Sequence, residues 1–194
     1  MSNIEIKNIA DPMFNKLKNL FLIEDIQYVI EENSTKVIFE TGVGGYAPDS
    51  HMIYIYFDSK NPNTNQNLEA KIKSTLSHEF HHAIRNRKFD WKKDTLLGAI
   101  ITEGLADHFD IEINGGEPRI WNTALLEEQI QFYIKIIKEK GHIKDFKYEE
   151  WFFGTKEIPK WAGYTIGFKL VEEYIKKTNK KASELVWEKS ECFI

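Results

Sequence analysis

Hydrophobic residues follow two spacings along the chain, and each spacing predicts one class of element. Runs rich in β-branched and aromatic residues predict strands, which fall at 26–31, 36–40 and 52–57. Apolar positions three and four residues apart predict helices, which fall near 9–22, 68–88, 95–110, 122–140, 164–178 and 181–188. Segments rich in glycine, proline and polar residues predict loops, which include 42–48, 61–67 and 152–163. The first two strands are close enough to form a hairpin.

The order of these elements predicts the class of fold. A β-rich part over 24–60 precedes a helical part over 66–190, and this segregation is typical of α+β proteins. A length of 194 residues suits a single domain over 1–194. Strand 52–57 could form the edge of the sheet and pair with an extended substrate by β-addition. A purely structural strand explains the same pattern equally well.

One predicted helix carries a metal-binding pattern, because His78-Glu79-Phe80-His81-His82 matches H-E-x-x-H. Residues i and i+4 share a helix face, so His78 and His82 can direct two imidazoles at one ion. Glu79 lies beside them and can accept the proton of a water that zinc activates. His81 is rotated away from His82, so a pair of His78 with His81 is the less favoured alternative. A solvated polar helix face is the other interpretation.

The next predicted helix supplies the expected third ligand. It starts at Asp94-Thr95, and an antiparallel helical hairpin brings Glu103 to a similar height as His82. Two histidines and one glutamate with an open fourth position form a catalytic zinc arrangement. Asp107 lies one turn beyond Glu103 and is expected to accept a hydrogen bond from the distal nitrogen of a ligand histidine. The alternatives are Asp107 as the ligand itself, or an exposed acidic face.

These motifs resemble those of the gluzincins, zinc peptidases with H-E-x-x-H and a downstream glutamate. Segments 75–85, 102–106 and 163–167 are more closely similar to the signature blocks of a bacterial family of predicted zinc-dependent proteases, a domain of unknown function. The resemblance implies a zincin-like fold, in which a small N-terminal sheet packs on a helical part that carries the active-site helix. It also implies peptidase activity on a peptide or protein. The aminopeptidase motif Gly-x-Met-Glu-Asn is absent from the sequence, which favours an endopeptidase.

A peptidase also needs a hydrogen-bond donor for the developing oxyanion. Tyr164, at the start of a predicted helix, is the first candidate, and packing in the core is an equal alternative. His142 could also donate, although a surface role suits it better. His108 is rotated about 140° from Glu103 and is expected to be an ordinary surface or core residue.

Composition narrows the class of protein. The net charge of −4 gives no support for nucleic-acid binding, which usually needs a basic face. Cys192 is the only cysteine, so neither an internal disulfide nor a thiolate metal site can form. No apolar run in the sequence is long enough for export or a membrane span, so we expect a cytoplasmic protein without a membrane partner. A zinc peptidase is the main hypothesis, and a non-catalytic zinc-binding or protein-interaction module is the alternative.

Overall fold

The computed structural model describes residues 3–194 and divides the chain into two compact units, Met1–Arg87 and Lys88–Ile194. The first unit contains α1 (Asn3–Phe21), β1 (Gln27–Glu32), β2 (Val43–Tyr46), β3 (Met52–Phe57) and α2 (Leu68–Arg85). The second contains α3 (Leu96–Asn114), α4 (Glu127–Lys140), α5 (Tyr148–Phe152), α6 (Ala162–Thr178) and α7 (Ala182–Leu185), with 3₁₀ helices at Trp91–Lys93 and Ser190–Phe193. The α+β class is confirmed, while the single domain stays a prediction.

The sheet of the first unit has three strands in the order β1-β3-β2. Strand β1 runs parallel to β3, with Gln27 opposite Met52, and β2 runs antiparallel to β3. The predicted hairpin of 26–31 with 36–40 is therefore wrong. Segment 36–40 contributes an isolated bridge between Ile38 and Val43 instead of a strand. The backbone N–H of Asn33 donates to the carbonyl of Phe57 and so continues the pairing of β1 with β3.

This topology corrects two further predictions, one for a loop and one for a strand. The predicted loop 42–48 contains β2, in which Gly44 and Gly45 allow close approach of neighbouring atoms. A side chain at Gly44 would overlap the carbonyl oxygen of Lys36. The predicted edge strand 52–57 is the central strand, since both of its sides are paired, so substrate cannot pair with it as expected.

The core of the first unit forms where α1 and α2 meet. The apolar stripe of α2 is fully buried, as its spacing predicts, and it includes Ile72, Leu76, Phe80 and Ala83. The Phe80 ring meets Phe14 of α1 edge to face, with 5.8 Å between ring centroids. Helix α1 begins at Asn3, well before the predicted start, and continues through Pro12. Packing of Ile6, Ala10 and Leu17 offsets the backbone hydrogen bond that the proline removes.

The core of the second unit forms around α3 and α6, which approach closely at two glycines. A Cβ atom at Gly104 would overlap the carbonyl oxygen of Gly167, and one at Gly167 would overlap the carbonyl oxygen of Ile100. Such close approach places the backbones of the two helices in direct contact, and any larger residue would separate them. The surrounding cluster includes Leu105, Ile130, Ile134, Phe152, Ile166 and Leu185, all of them buried.

Helix boundaries in the second unit depart from the predictions at two places. Residue 122 lies in a turn, where the Asn122 side chain accepts a hydrogen bond from the backbone N–H of Arg119 (2.8 Å). Helix α4 begins later, at Glu127, where the Gln129 side chain accepts from the backbone N–H of Leu126 (2.9 Å). Helix α5, which ends where the predicted loop 152–163 begins, was not predicted. Among the helices of residues 3–194, none has the length and apolar character that crossing a membrane requires.

Candidate metal centre

Helix α2 brings the two imidazoles of the H-E-x-x-H motif together. His78 and His82 are half-buried, and their Nε2 atoms lie 2.9 Å apart. Their rings meet edge to face, with 4.6 Å between centroids and 86° between planes. One helical turn separates the two residues, so this convergence follows directly from helix geometry.

Glu79 packs against the backbone of β2. Its side chain is buried, with 7% of its surface exposed. A Cβ atom at Gly45 would lie 2.6 Å from the Glu79 carboxylate oxygen Oε1 and would also crowd the Thr75 methyl group. The glycine in β2 therefore leaves room for a carboxylate beside the two imidazoles.

Helix α3 carries Glu103 within its interior turns. Thr95 caps the first turn, as predicted, by accepting a hydrogen bond from the backbone N–H of Gly98 (3.0 Å). Glu103 itself is buried, and its Oε1 atom accepts a hydrogen bond from the Tyr148 hydroxyl (2.8 Å). Burial raises the pKa of Tyr148 well above its usual value, and the Glu103 charge raises that pKa further. Tyr148 therefore stays protonated at neutral pH and acts as a donor.

His78, His82 and Glu103 form a group that could hold a metal ion. One ligand atom from each of the three lies within 4.8 Å of the others. Two nitrogens and one carboxylate oxygen are the donors of a catalytic zinc site. The chemistry of this donor set therefore fits zinc.

Asp107, one turn beyond Glu103, is also buried, with 2% of its surface exposed. Its Oδ2 atom accepts hydrogen bonds from the Trp121 indole N–H (3.1 Å) and from the side-chain amide of Asn122. The exposed acidic face considered from the sequence is thus wrong for Glu103 and Asp107 alike. The role of Asp107 as an acceptor for a ligand histidine stays a prediction.

Tyr164 lies beside Tyr148 at the start of α6. Its ring packs edge to face on Phe152, with 4.9 Å between centroids, and lies near Trp121. Its hydroxyl oxygen is 3.5 Å from that of Tyr148, which in turn contacts Glu103. Tyr164 is therefore half-buried against the core of the second unit, and its role as the oxyanion donor stays a prediction.

The second unit contains two further histidines, His108 and His142. His142 is exposed in the turn after α4. His108 stacks on Phe168, with 4.0 Å between ring centroids, and its Nε2 atom donates to the Phe168 carbonyl (2.9 Å). Burial lowers the pKa of His108, which favours the neutral imidazole.

Three residues of the site escaped the sequence analysis as functional candidates, namely Tyr148, Trp121 and Asn122. Each contacts an acidic residue of α3 from a distant part of the chain; Tyr148, for example, is 45 residues from Glu103. No local spacing relates them to α3, so periodicity could not have found them.

Comparison with known proteins identifies a matching family and two similar proteins. The model of a family described as predicted Zn-dependent protease (DUF2268) matches residues 6–194. Two proteins of Bacillus subtilis strain 168 are similar to the chain, and both are named as uncharacterized proteins. YjaZ is 29% identical over 177 residues, which cover 86% of this chain and 64% of YjaZ. YjfC is 27% identical over 172 residues, which cover 81% of this chain and 55% of YjfC.

The chain thus spans less than two thirds of the length of either relative. No solved structure matches it. The family match covers nearly the whole sequence, and it confirms the resemblance to a bacterial family of predicted zinc-dependent proteases. The chain belongs to the family of predicted zinc-dependent proteases.

Proposed function

We propose that the protein is a zinc-dependent peptidase that cleaves internal bonds of a peptide or protein substrate. The observation that carries this proposal is the convergence of His78, His82 and Glu103 within 4.8 Å. The description of the family supports the same activity. The third ligand is a glutamate on the helix after the motif, so we assign the site to the gluzincin pattern. The cytoplasmic location stays a prediction.

Each side chain of the site has a role in the proposed reaction. When bound, zinc supplies Lewis acidity that polarises a carbonyl and lowers the pKa of a water to about 7. Glu79 accepts a proton from the attacking water and delivers it to the leaving amine. Tyr164 donates a hydrogen bond to the oxyanion that develops on the carbonyl.

The position of Glu79 favours an enzyme over a zinc-binding module without catalysis. A structural zinc site is usually closed by four protein ligands and needs no base. Within the described part of the chain, the converging group has three members, and Glu79 directly follows the first of them. Its buried carboxylate lies against β2 rather than in solvent. Burying a carboxylate is costly, so a functional role for it is a better explanation than chance.

Peptide-library cleavage by the zinc-loaded, tag-free protein tests the proposal, with Glu79→Gln as the main variant. This substitution keeps the shape of the side chain and removes the base. We expect the variant to bind one zinc ion as the wild type does, and to lose turnover by about 10²- to 10⁴-fold. Glu69→Gln is the matched control. Glu69 lies on the same helix, and its exposed carboxylate pairs with Lys73 at 2.5 Å, so its variant should cleave at the wild-type rate.

Two results would count against the proposal. Cleavage by Glu79→Gln at the wild-type rate would contradict the role of the base. Stoichiometric zinc binding without cleavage of any peptide in the library would favour the non-catalytic module.

A further inference from the structure

We propose that Tyr148 is a positioning residue for the metal centre, acting on the candidate ligand Glu103. The inference rests on the proposed function and assigns a second layer of the same site. Its basis is the hydrogen bond from the Tyr148 hydroxyl to Glu103 Oε1, at 2.8 Å.

The Tyr148 ring is itself held firmly. It stacks on Phe152, with 4.0 Å between centroids and 14° between planes, and it meets Phe153 edge to face at 6.2 Å. Phe152 is fully buried in the core of the second unit. Since the ring cannot swing without disturbing that core, the hydroxyl has a defined position.

A donor at a defined position restricts the rotation of the Glu103 carboxylate. One of its oxygens is directed at Tyr148, and this fixes the direction in which the other points. Partners that orient ligand side chains in this way typically contribute 10- to 100-fold to metal affinity. Tyr148 thus supplies the orientation that helix α3 alone cannot give to a long, flexible side chain.

The same hydrogen bond also separates the roles of two neighbouring tyrosines. A phenol has one proton to donate, and Tyr148 directs its proton at Glu103. Tyr148 is therefore committed to the ligand while this bond persists. The hydroxyl of Tyr164, 3.5 Å away, is the one assigned to the substrate oxyanion.

The experiment compares Tyr148→Phe with Tyr133→Phe. Both substitutions delete one phenolic hydroxyl that donates a hydrogen bond within the second unit. The Tyr133 hydroxyl donates to the Glu157 carbonyl (2.9 Å), away from the candidate ligands. Zinc affinity is measured by competition with a chelator, and the visible absorption spectrum is recorded with cobalt(II) in place of zinc. We expect zinc binding to weaken by about 10- to 100-fold in Tyr148→Phe, with an altered cobalt spectrum. Tyr133→Phe should match the wild type in both measurements.

A double-variant cycle tests whether Tyr148 acts through Glu103. If it does, Tyr148→Phe should weaken zinc binding much less in a Glu103→Gln background than in the wild type. The cycle also separates orientation from loss of folding, because general unfolding would weaken binding equally in both backgrounds.

Three results distinguish failure of the role of Tyr148 from failure of the proposed function. Wild-type zinc affinity and cobalt spectrum in Tyr148→Phe would overturn the inference and leave the proposed function intact. Equal weakening of zinc binding by Tyr148→Phe and Tyr133→Phe would also overturn it. Failure of the wild-type protein to bind zinc would overturn the proposed function, and with it the role of Tyr148.

Discussion

Helices α2 and α3 both carry side chains of the candidate site, but those side chains are held in different ways. On α2, His78 and His82 are one turn apart, and the helix alone brings their Nε2 atoms to 2.9 Å. On α3, Glu103 accepts a hydrogen bond from Tyr148, 45 residues further along the chain. The imidazole pair depends on local geometry, whereas the acidic partner depends on contacts formed only in the folded protein.

Asp107 repeats the pattern of Glu103 on the same helix. Its carboxylate accepts hydrogen bonds from Trp121 and Asn122, which lie 14 and 15 residues away. A buried carboxylate needs such donors, because without them burial would cost several kcal/mol. The acidic half of the site is therefore the half that distant substitutions can disturb.

The largest expected effect comes from removing a ligand on either helix. His82→Ala and Glu103→Ala should each weaken zinc binding by more than about 100-fold, which exceeds the usual effect of an outer partner. Competition with a chelator measures the loss. His142→Ala and Glu128→Ala are matched controls at exposed positions and should bind zinc as the wild type does. Unchanged affinity in Glu103→Ala would break the comparison, since α2 alone would then hold the metal.

A smaller effect is expected where α3 meets α6. In Gly104→Ala the added methyl group would overlap the Gly167 carbonyl oxygen, and neither backbone can move without disturbing the core. We expect unfolding free energy to fall by about 2 kcal/mol in urea titrations, as is usual for overpacking. Gly98→Ala is the control on the same helix, because its methyl group would meet the side chain of Asp94 rather than a backbone. Moving that side chain gives up its hydrogen bond from the Thr95 backbone N–H but shifts no helix. Equal losses in the two variants would show that the contact with α6 is not specially tight.

The smallest expected effect concerns acid sensitivity at His108 on α3. Burial lowers the pKa of this histidine below its ordinary value of 6.5. The Phe168 carbonyl and the carboxylates of Asp107 and Glu172 oppose the shift, while Lys176 adds to it. The folded state therefore binds a proton less readily than the unfolded state. Stability from neutral His108 is present above about pH 6.5 and is lost as the pH falls below that value.

His108→Gln tests this pH dependence. The variant should show a shallower fall in unfolding free energy between about pH 7.5 and about pH 5.5 than the wild type. His142→Gln, at an exposed position, should leave the slope unchanged. A wild-type slope in His108→Gln would place the acid sensitivity elsewhere in the molecule.

Local spacing explains which features the sequence could predict. The buried stripe of α2 and the pairing of His78 with His82 both follow from a period of 3.6 residues. Thr95 could be predicted as a cap, because capping acts within three residues. Each of these features involves residues no more than a few positions apart.

Features that depend on distant contacts could not be predicted in this way. Gly44 and Gly45 have the composition of a loop, yet they form a strand because β2 pairs with β3, which follows it after a short loop. The parallel pairing of β1 with β3 likewise joins residues about two dozen positions apart, as in Gln27 with Met52. Tyr148 lies in the short helix α5, 45 residues from Glu103, and no spacing along the sequence links the two residues.

The glycine at position 45 links the shape of the sheet to the carboxylate that we propose as the base. Strand β2 pairs with β3 at this position, with Gly45 opposite Ile55. A Cβ atom there would lie 2.6 Å from the Oε1 atom of Glu79. A larger residue at position 45 would therefore displace either that carboxylate or the strand itself.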